Sequence, residues 1–178
     1  MRLERSDAEL FYQLWFPLLD FVNGKYRVRP QIGRIKHGRD VDSRDAKAIA
    51  DYLWSHTGII EEYLGAAKLP KECAEIVAGW KRCKPGRYIL ERHLKAGSVF
   101  ISAEDGAVYM VKGLFSTWAE MLGENPVLLD AVLIPFRDSI ISDGLVAPYS
   151  VCFGKGAREA FKEAYMNAKR NHTICFSI

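Results

Sequence analysis

Asp138 and Asp143 bracket a short apolar run, Ser139-Ile140-Ile141-Ser142, and Asp130 lies a little upstream. Converging carboxylates hold a divalent cation or divide acid and base roles, so this trio raises a metal-dependent hydrolase or nuclease as one reading. Turn chemistry is the stronger reading. Asp before Ser and Asp before Gly are favoured for local hydrogen bonding alone.

A second group is cationic. Lys25, Arg27, Arg29, Arg34, Lys36 and Arg39 lie in a window without an acid, whereas the whole chain of 178 residues has a net charge of +3. The remainder is therefore mildly acidic. Tyr26 among Lys25, Arg27 and Arg29 combines phosphate-pairing charge with a ring for base stacking, which is the chemistry of nucleic-acid binding. The same window also reads as a solvated loop facing an acidic surface, and a sequence pI of about 8.6 is modest for a dedicated nucleic-acid binder.

Gly154, Lys155 and Gly156 stand between a predicted strand and a helix, where backbone N–H groups could cradle an anion. A dinucleotide fingerprint would need a further glycine where Glu159 stands, and too little chain follows for the rest of such a unit. His37, His56, His93 and His172 are distant from one another, and none has a cysteine or carboxylate at a metal-ligand spacing. Cys73, Cys83, Cys152 and Cys175 are scattered without a Cys-x-x-Cys pair, so they are expected to be reduced, with Cys73 and Cys152 on apolar faces. Cys83 stands among Lys81, Arg82 and Lys84, a setting that lowers a thiol pKa, although no base adjoins it in sequence. No metal and no cofactor is called for.

The elements that position these groups change character along the chain. Ser6 and Glu9 form a predicted capping box ahead of the stripe Leu10, Phe11, Leu14, Trp15, Leu18 and Val22, with Pro17 as a kink and Asn23-Gly24 as a left-handed stop. After the basic window, an irregular loop or ragged hairpin, Asp42 to Asp45 caps a helix through Ile49, Leu53 and Trp54. Ile59, Ile60 and Tyr63 continue in a new register, and Pro70 opens a helix with Cys73, Ile76, Val77 and Trp80 on one face.

Pro85-Gly86 marks the change to strands: Tyr88 to His93, Ser98 to Ser102 and Ala107 to Lys112. A short helix, Phe115 to Leu122, leads through Gly123-Glu124-Asn125-Pro126 to strands at Ala131 to Ile134 and Ser139 to Ser142, parted by a turn at Pro135-Phe136. Tyr149 to Phe153 is expected to pair as another strand, Ala157 to Ala168 to form a final helix, and Ile174 to Ile178 to add a last short strand. The expected fold is α+β: a helical subdomain over 1–85 packed on a small bent antiparallel sheet or partly open barrel over 86–178, with a C-terminal helix.

Leu133, Pro135, Phe136, Ile140, Asp143, Gly144 and Leu145 spell Leu-x-Pro-Phe, a polar turn, an isoleucine and Asp-Gly-Leu. In this the chain resembles a family of bacterial proteins without an established activity, and the likeness extends through Trp15, Asn23, Trp54, Tyr63, Trp80 and Tyr109. The resemblance implies no catalytic residues. The opening residues lack a signal-peptide stretch and no run is long enough to span a bilayer, so a cytoplasmic protein without a membrane partner is expected. The functional expectation is a non-enzymatic binding module for a protein or peptide. Its alternatives are nucleic-acid binding through Lys25 to Arg39, and metal-dependent hydrolysis through Asp138 and Asp143.

Overall fold

A computed structural model describes residues 1–123 and 126–178, so Glu124 and Asn125 of the expected connection lie outside the described residues. The architecture is α+β, and the chain divides into two compact units, Glu4–Arg82 and Met1–Leu3 with Cys83–Ile178.

The first unit is helical: α1 (Arg5–Tyr26), α2 (Ser43–Ser55), α3 (Ile59–Ala66) and α4 (Lys71–Gly79). Its core is aromatic. Trp15 stacks on Trp54 with centroids 5.2 Å apart, and Trp80 meets Phe11 at 5.5 Å and Trp15 at 6.0 Å. Such rings remove large apolar areas from water while keeping few rotatable bonds, which suits a unit of short helices. Val77 and Trp80 are buried as the stripe on α4 predicts, whereas Cys73 and Ile76 are half-buried.

Both predicted ends of α1 need correction. The helix starts at Arg5 with Glu4 as its cap, so Ser6 lies inside it, and Glu9 pairs with Arg5 one turn back at 2.8 Å. At the other end α1 runs past Asn23-Gly24 to Tyr26, and the left-handed residue is Arg27, with φ 54° and its N–H bonded to the Asn23 carbonyl. Asn23 does not stop the helix because its side chain is engaged elsewhere. The cap of α2 is as expected, Asp42 accepting the Asp45 N–H at 2.8 Å, and Pro70 is the residue just before α4.

The second unit contains β1 (Lys84–His93), β2 (Ser98–Ser102), β3 (Val108–Val111), α5 (Trp118–Leu122), β4 (Val127–Phe136), β5 (Ser139–Ser142), β6 (Ala147–Pro148) and α6 (Lys155–Arg170). The strands run β1-β2-β3-β5-β4, and β1 also pairs with β4, so the sheet bends into a ring with β6 added at β4. It is not a regular barrel. The pairings are antiparallel except β3 with β5, joined in parallel at Val111 and Ile140, so the sheet is mixed.

The ring has two apolar faces. Leu90, Phe100, Tyr109, Val111, Leu129, Leu133, Ile140 and Trp118 form one core cluster. Ile89, Val99, Ile101, Val108 and Met110 form the other, which α6 covers with Tyr165 and Ala168. Alternation along the strands sends neighbouring residues to opposite faces, which is why both faces of β2 and β3 are apolar. Ala160 on α6 is exposed. Within α5 Trp118 is buried, whereas Met121 and, ahead of the helix, Phe115 are 43% and 44% exposed.

Other boundaries move for local reasons. Pro85 and Gly86 lie inside β1, opposite Val132 and Ala131, where β2 has not yet begun to pair and a missing N–H is tolerated. Pro135 and Phe136 lie inside β4, opposite Ile140 and Ser139, and the turn is Arg137-Asp138, with Arg137 at φ 50°. The β1 ladder ends at Leu133, so Pro135 withholds no donor from it. After the two residues of β6 the chain from Tyr149 to Phe153 is irregular, and Tyr149, Val151 and Cys152 are exposed. The tail contributes one isolated bridge, Cys175 to Tyr109.

Residues Met1–Leu3 belong to this second unit. Arg2 bridges Gly113, the Gly113 N–H donates to the Met1 carbonyl at 3.2 Å, and the Leu3 N–H donates to the Gly113 carbonyl at 2.9 Å. A methyl group on Gly113 would stand 2.0 Å from the Ser116 carbonyl oxygen, so this position admits no side chain.

Candidate functional site

The basic window forms one wall of a cleft within the helical unit. From Arg27 to His37 the chain is an irregular loop, and a short 3-10 turn, Gly38–Asp40, precedes α2. Asn23, 4% exposed, holds this loop from below. Its Oδ1 accepts the Arg29 N–H at 2.8 Å, and its Nδ2 donates to the carbonyls of Arg29 at 3.0 Å and Ile32 at 3.4 Å. One turn earlier on α1, Asp20 accepts the Ile35 N–H and pairs with the Arg34 guanidinium, both at 2.8 Å. Two polar side chains on one face of α1 therefore fix a loop that has no regular structure of its own.

The cleft has a volume of about 770 Å³ and lies among α1, the loop and the end of α3. Pro17, Phe21, Ile32, Tyr63, Ala66 and Ala67 give it apolar walls, and Lys25, Arg27, Arg34 and Lys36 bring cations to it. Phe21 and Tyr63 meet edge to face at 5.4 Å, and burial raises the Tyr63 pKa. A volume of this order is typical of pockets that enclose small ligands.

The six cations do not share one environment. Lys25 donates to Glu62 at 2.7 Å, Arg29 pairs with Asp45 at 2.8 Å, and Arg34 is held by Asp20. Tyr26 donates to the same Glu62 carboxylate at 2.5 Å. Hydrogen bonds from Lys25 and then Tyr26 lower the Glu62 pKa, and the bond to Glu62 raises those of Lys25 and Tyr26. Arg39 stands next to Asp40, whose pKa is lowered by the backbone N–H groups of Lys36 and His37. Among the described residues, the side chains of Arg27 and Lys36 form no hydrogen bond or ion pair, and both line the cleft.

The carboxylates of the other region are kept apart. Asp138 is exposed at the β4–β5 turn, and Asp143 is buried beyond the far end of β5, about 16 Å away along an extended strand. Asp143 accepts the Leu145 N–H at 3.0 Å and the Ser142 hydroxyl at 3.4 Å. Asp130 binds the Arg87 guanidinium at 3.1 Å and the Tyr149 hydroxyl at 2.6 Å. No group of three His, Cys, Asp or Glu side chains among the described residues is placed to hold a metal ion.

The remaining candidates do not converge either. Gly154 precedes the first turn of α6, and Lys155 reaches Glu159 at 3.8 Å. Gly156 is exposed and has open space around it. His56 stacks on Tyr52 at 4.4 Å, and His93, its pKa lowered by burial, contacts the Ser98 hydroxyl at 2.8 Å. His37 precedes the 3-10 turn and His172 follows α6. Cys83 overturns its expected activation: burial, then the nearby Asp143 charge, push its thiol up to about 11 despite the basic neighbours.

Sequence reasoning missed the part played by Asp20, Phe21, Asn23, Glu62 and Tyr63. The available signal was Asn23, a polar residue one turn after Leu19 on a face otherwise apolar. Among the described residues no helix is long and apolar enough to cross a membrane. Comparison of the chain with protein-family models, curated proteins and solved structures finds no match.

Proposed function

We propose that this protein is a binding module and that its ligand site is the cleft of the helical unit, which takes an anionic partner with an apolar body. The observation that carries this reading is the placement of Arg27 and Lys36, two cations without internal partners, beside walls formed by Phe21, Ile32 and Tyr63. A carboxylate of the same chain already pairs with each of Lys25, Arg29 and Arg34, so these side chains position the loop more than they attract a ligand.

Arg27 adds a physical argument. A left-handed backbone costs a non-glycine residue roughly 1–2 kcal/mol, and Arg27 adopts it at φ 54° with no ion pair in return. The backbone of Arg27 caps α1 through its N–H, and a side chain left without an internal contact at such a position fits an external one. The test is titration with anilinonaphthalene sulfonate, an anionic aromatic probe. Saturable fluorescence at one site, lost in Lys36→Met, is the expected result, and fluorescence indifferent to that change would remove the cleft from consideration.

Nucleic-acid binding is the second reading, supported by Arg27, Lys36 and Arg39, which lie exposed along one loop. The small five-stranded barrels that bind oligonucleotides use the β2–β3 face, and here α6 lies over the apolar residues of those strands. A strand would therefore follow the helical unit. Heparin retention should fall in a variant with Ala at 27, 36 and 39 and survive Ala at 29 alone, and equal losses would count against this path.

A further inference from the structure

Resting on the reading of the cleft as the ligand site, we infer that its ligand is a small aromatic phosphate monoester, an aromatic body carrying one terminal phosphate. The uncommitted charge is the first reason. Two cations, Arg27 and Lys36, meet a phosphate dianion in number, whereas a carboxylate would leave one of them without a counter-charge. Arg offers a fork of N–H donors to the oxygens and Lys a point charge, a combination that suits a tetrahedral oxyanion.

The loop supplies further donors. Among the described residues the amides of Gly33 and Arg34, successive positions lining the cleft, donate to no acceptor within the protein. Backbone amides that lack a partner beside a cavity are the usual complement to phosphate oxygens. The aromatic part follows from the opposite character of the other wall, where Phe21 and Tyr63 meet at 5.4 Å and the Lys25 ammonium lies 5.8 Å from the Phe21 centroid.

The same geometry disfavours a long polyanion. Asp20 lines the cleft and pairs there with Arg34, while Glu62 and Asp45 pair with Lys25 and Arg29, so a run of several phosphates would meet carboxylates already paired with these cations. One phosphate at Arg27 and Lys36 avoids that repulsion, and the volume of about 770 Å³ accommodates a ring system with its sugar or linker.

The experiment is calorimetric titration of the full chain with adenosine monophosphate, adenosine and octanoate. The monophosphate should bind at one site, at least about tenfold tighter than either comparison probe, because each lacks charge-assisted hydrogen bonds available to it. Arg27→Gly, which suits the backbone at that position, and Lys36→Met should each weaken the monophosphate about tenfold, and Phe21→Leu should weaken it less. Adenosine binding as tightly as its phosphate, or an affinity indifferent to Arg27→Gly and Lys36→Met, overturns the inference. Octanoate binding alone and losing its site in those variants overturns it while leaving the cleft as an anion site. Failure of every probe, anilinonaphthalene sulfonate included, overturns both.

Discussion

The loop from Lys25 to Arg39 and the hairpin from Leu133 to Leu145 both carry charged residues, yet they use them in opposite ways. In the hairpin three hydrogen bonds run between near neighbours: Asp143 accepts from Leu145 and Ser142, and the Ser142 hydroxyl accepts the Gly144 N–H. In the loop the partners come from other elements, Asp20 and Asn23 on α1, Asp45 on α2 and Glu62 on α3, and among the described residues the side chains of Arg27, Lys36 and Arg39 form no hydrogen bond or ion pair. A tight turn can satisfy its side chains within a few residues. A long loop cannot, so what it leaves over is available to a ligand.

The largest effect that would sharpen this contrast is in the hairpin. Asp143→Ala removes the acceptor for a half-buried N–H and should cost about 2–3 kcal/mol in denaturant unfolding, whereas Asp138→Ala should stay within about 0.5 kcal/mol. Similar losses at both positions would break the comparison by making the two carboxylates one unit. Next is Asn23→Ala, expected to cost about 2 kcal/mol and to abolish fluorescence of anilinonaphthalene sulfonate, since three hydrogen bonds to the loop disappear together. A variant that loses stability but keeps the probe would show that the cleft does not depend on this latch.

Arg27→Gly should have a smaller effect and the opposite sign. It should raise stability by about 1 kcal/mol, because glycine adopts the left-handed backbone freely, while weakening the anionic probe. Loss of both stability and binding would mean that the arginine is a structural part of the loop. The smallest effect is titration of the Lys25–Glu62 pair. The Glu62 pKa is lowered in the folded state, so its contribution is present above the ordinary glutamate value and is lost as pH falls through the lowered one. Both groups are exposed, so the change in unfolding midpoint should be slight and should vanish in Glu62→Gln.

Much of the fold was legible because it rests on local patterns. The stripe Phe11, Trp15, Leu18 and Val22 reports α1, and Ser98 to Ser102 and Ser139 to Ser142 report β2 and β5 at their observed bounds. Boundaries failed where a tertiary partner outweighed a local signal. Asn23-Gly24 has the composition of a helix stop, but the Asn23 amide is more fully satisfied by Arg29 and Ile32, so the helix continues. Pro135 has the composition of a strand end, but it sits where β4 has already lost its β1 neighbour. For the site, the basic segment was visible as charge. Which of its cations remain unpaired was not, because the carboxylates that answer them, Asp20, Asp45 and Glu62, come from separate helices whose meeting no spacing records.

Gly113 joins residues at the start of the chain to the strands that follow the helices, and this bears on the order in which the molecule is made. The helical unit is continuous in sequence from Glu4 to Arg82 and can assemble as soon as that stretch has left the ribosome. Met1–Leu3 cannot join their own unit until Gly113 has been synthesised, so a contact across more than a hundred residues must close late and carries the entropy of a long loop. These three residues, which precede the helical unit in sequence, thus find their place after it. The cleft-bearing unit is complete while the ring is still open.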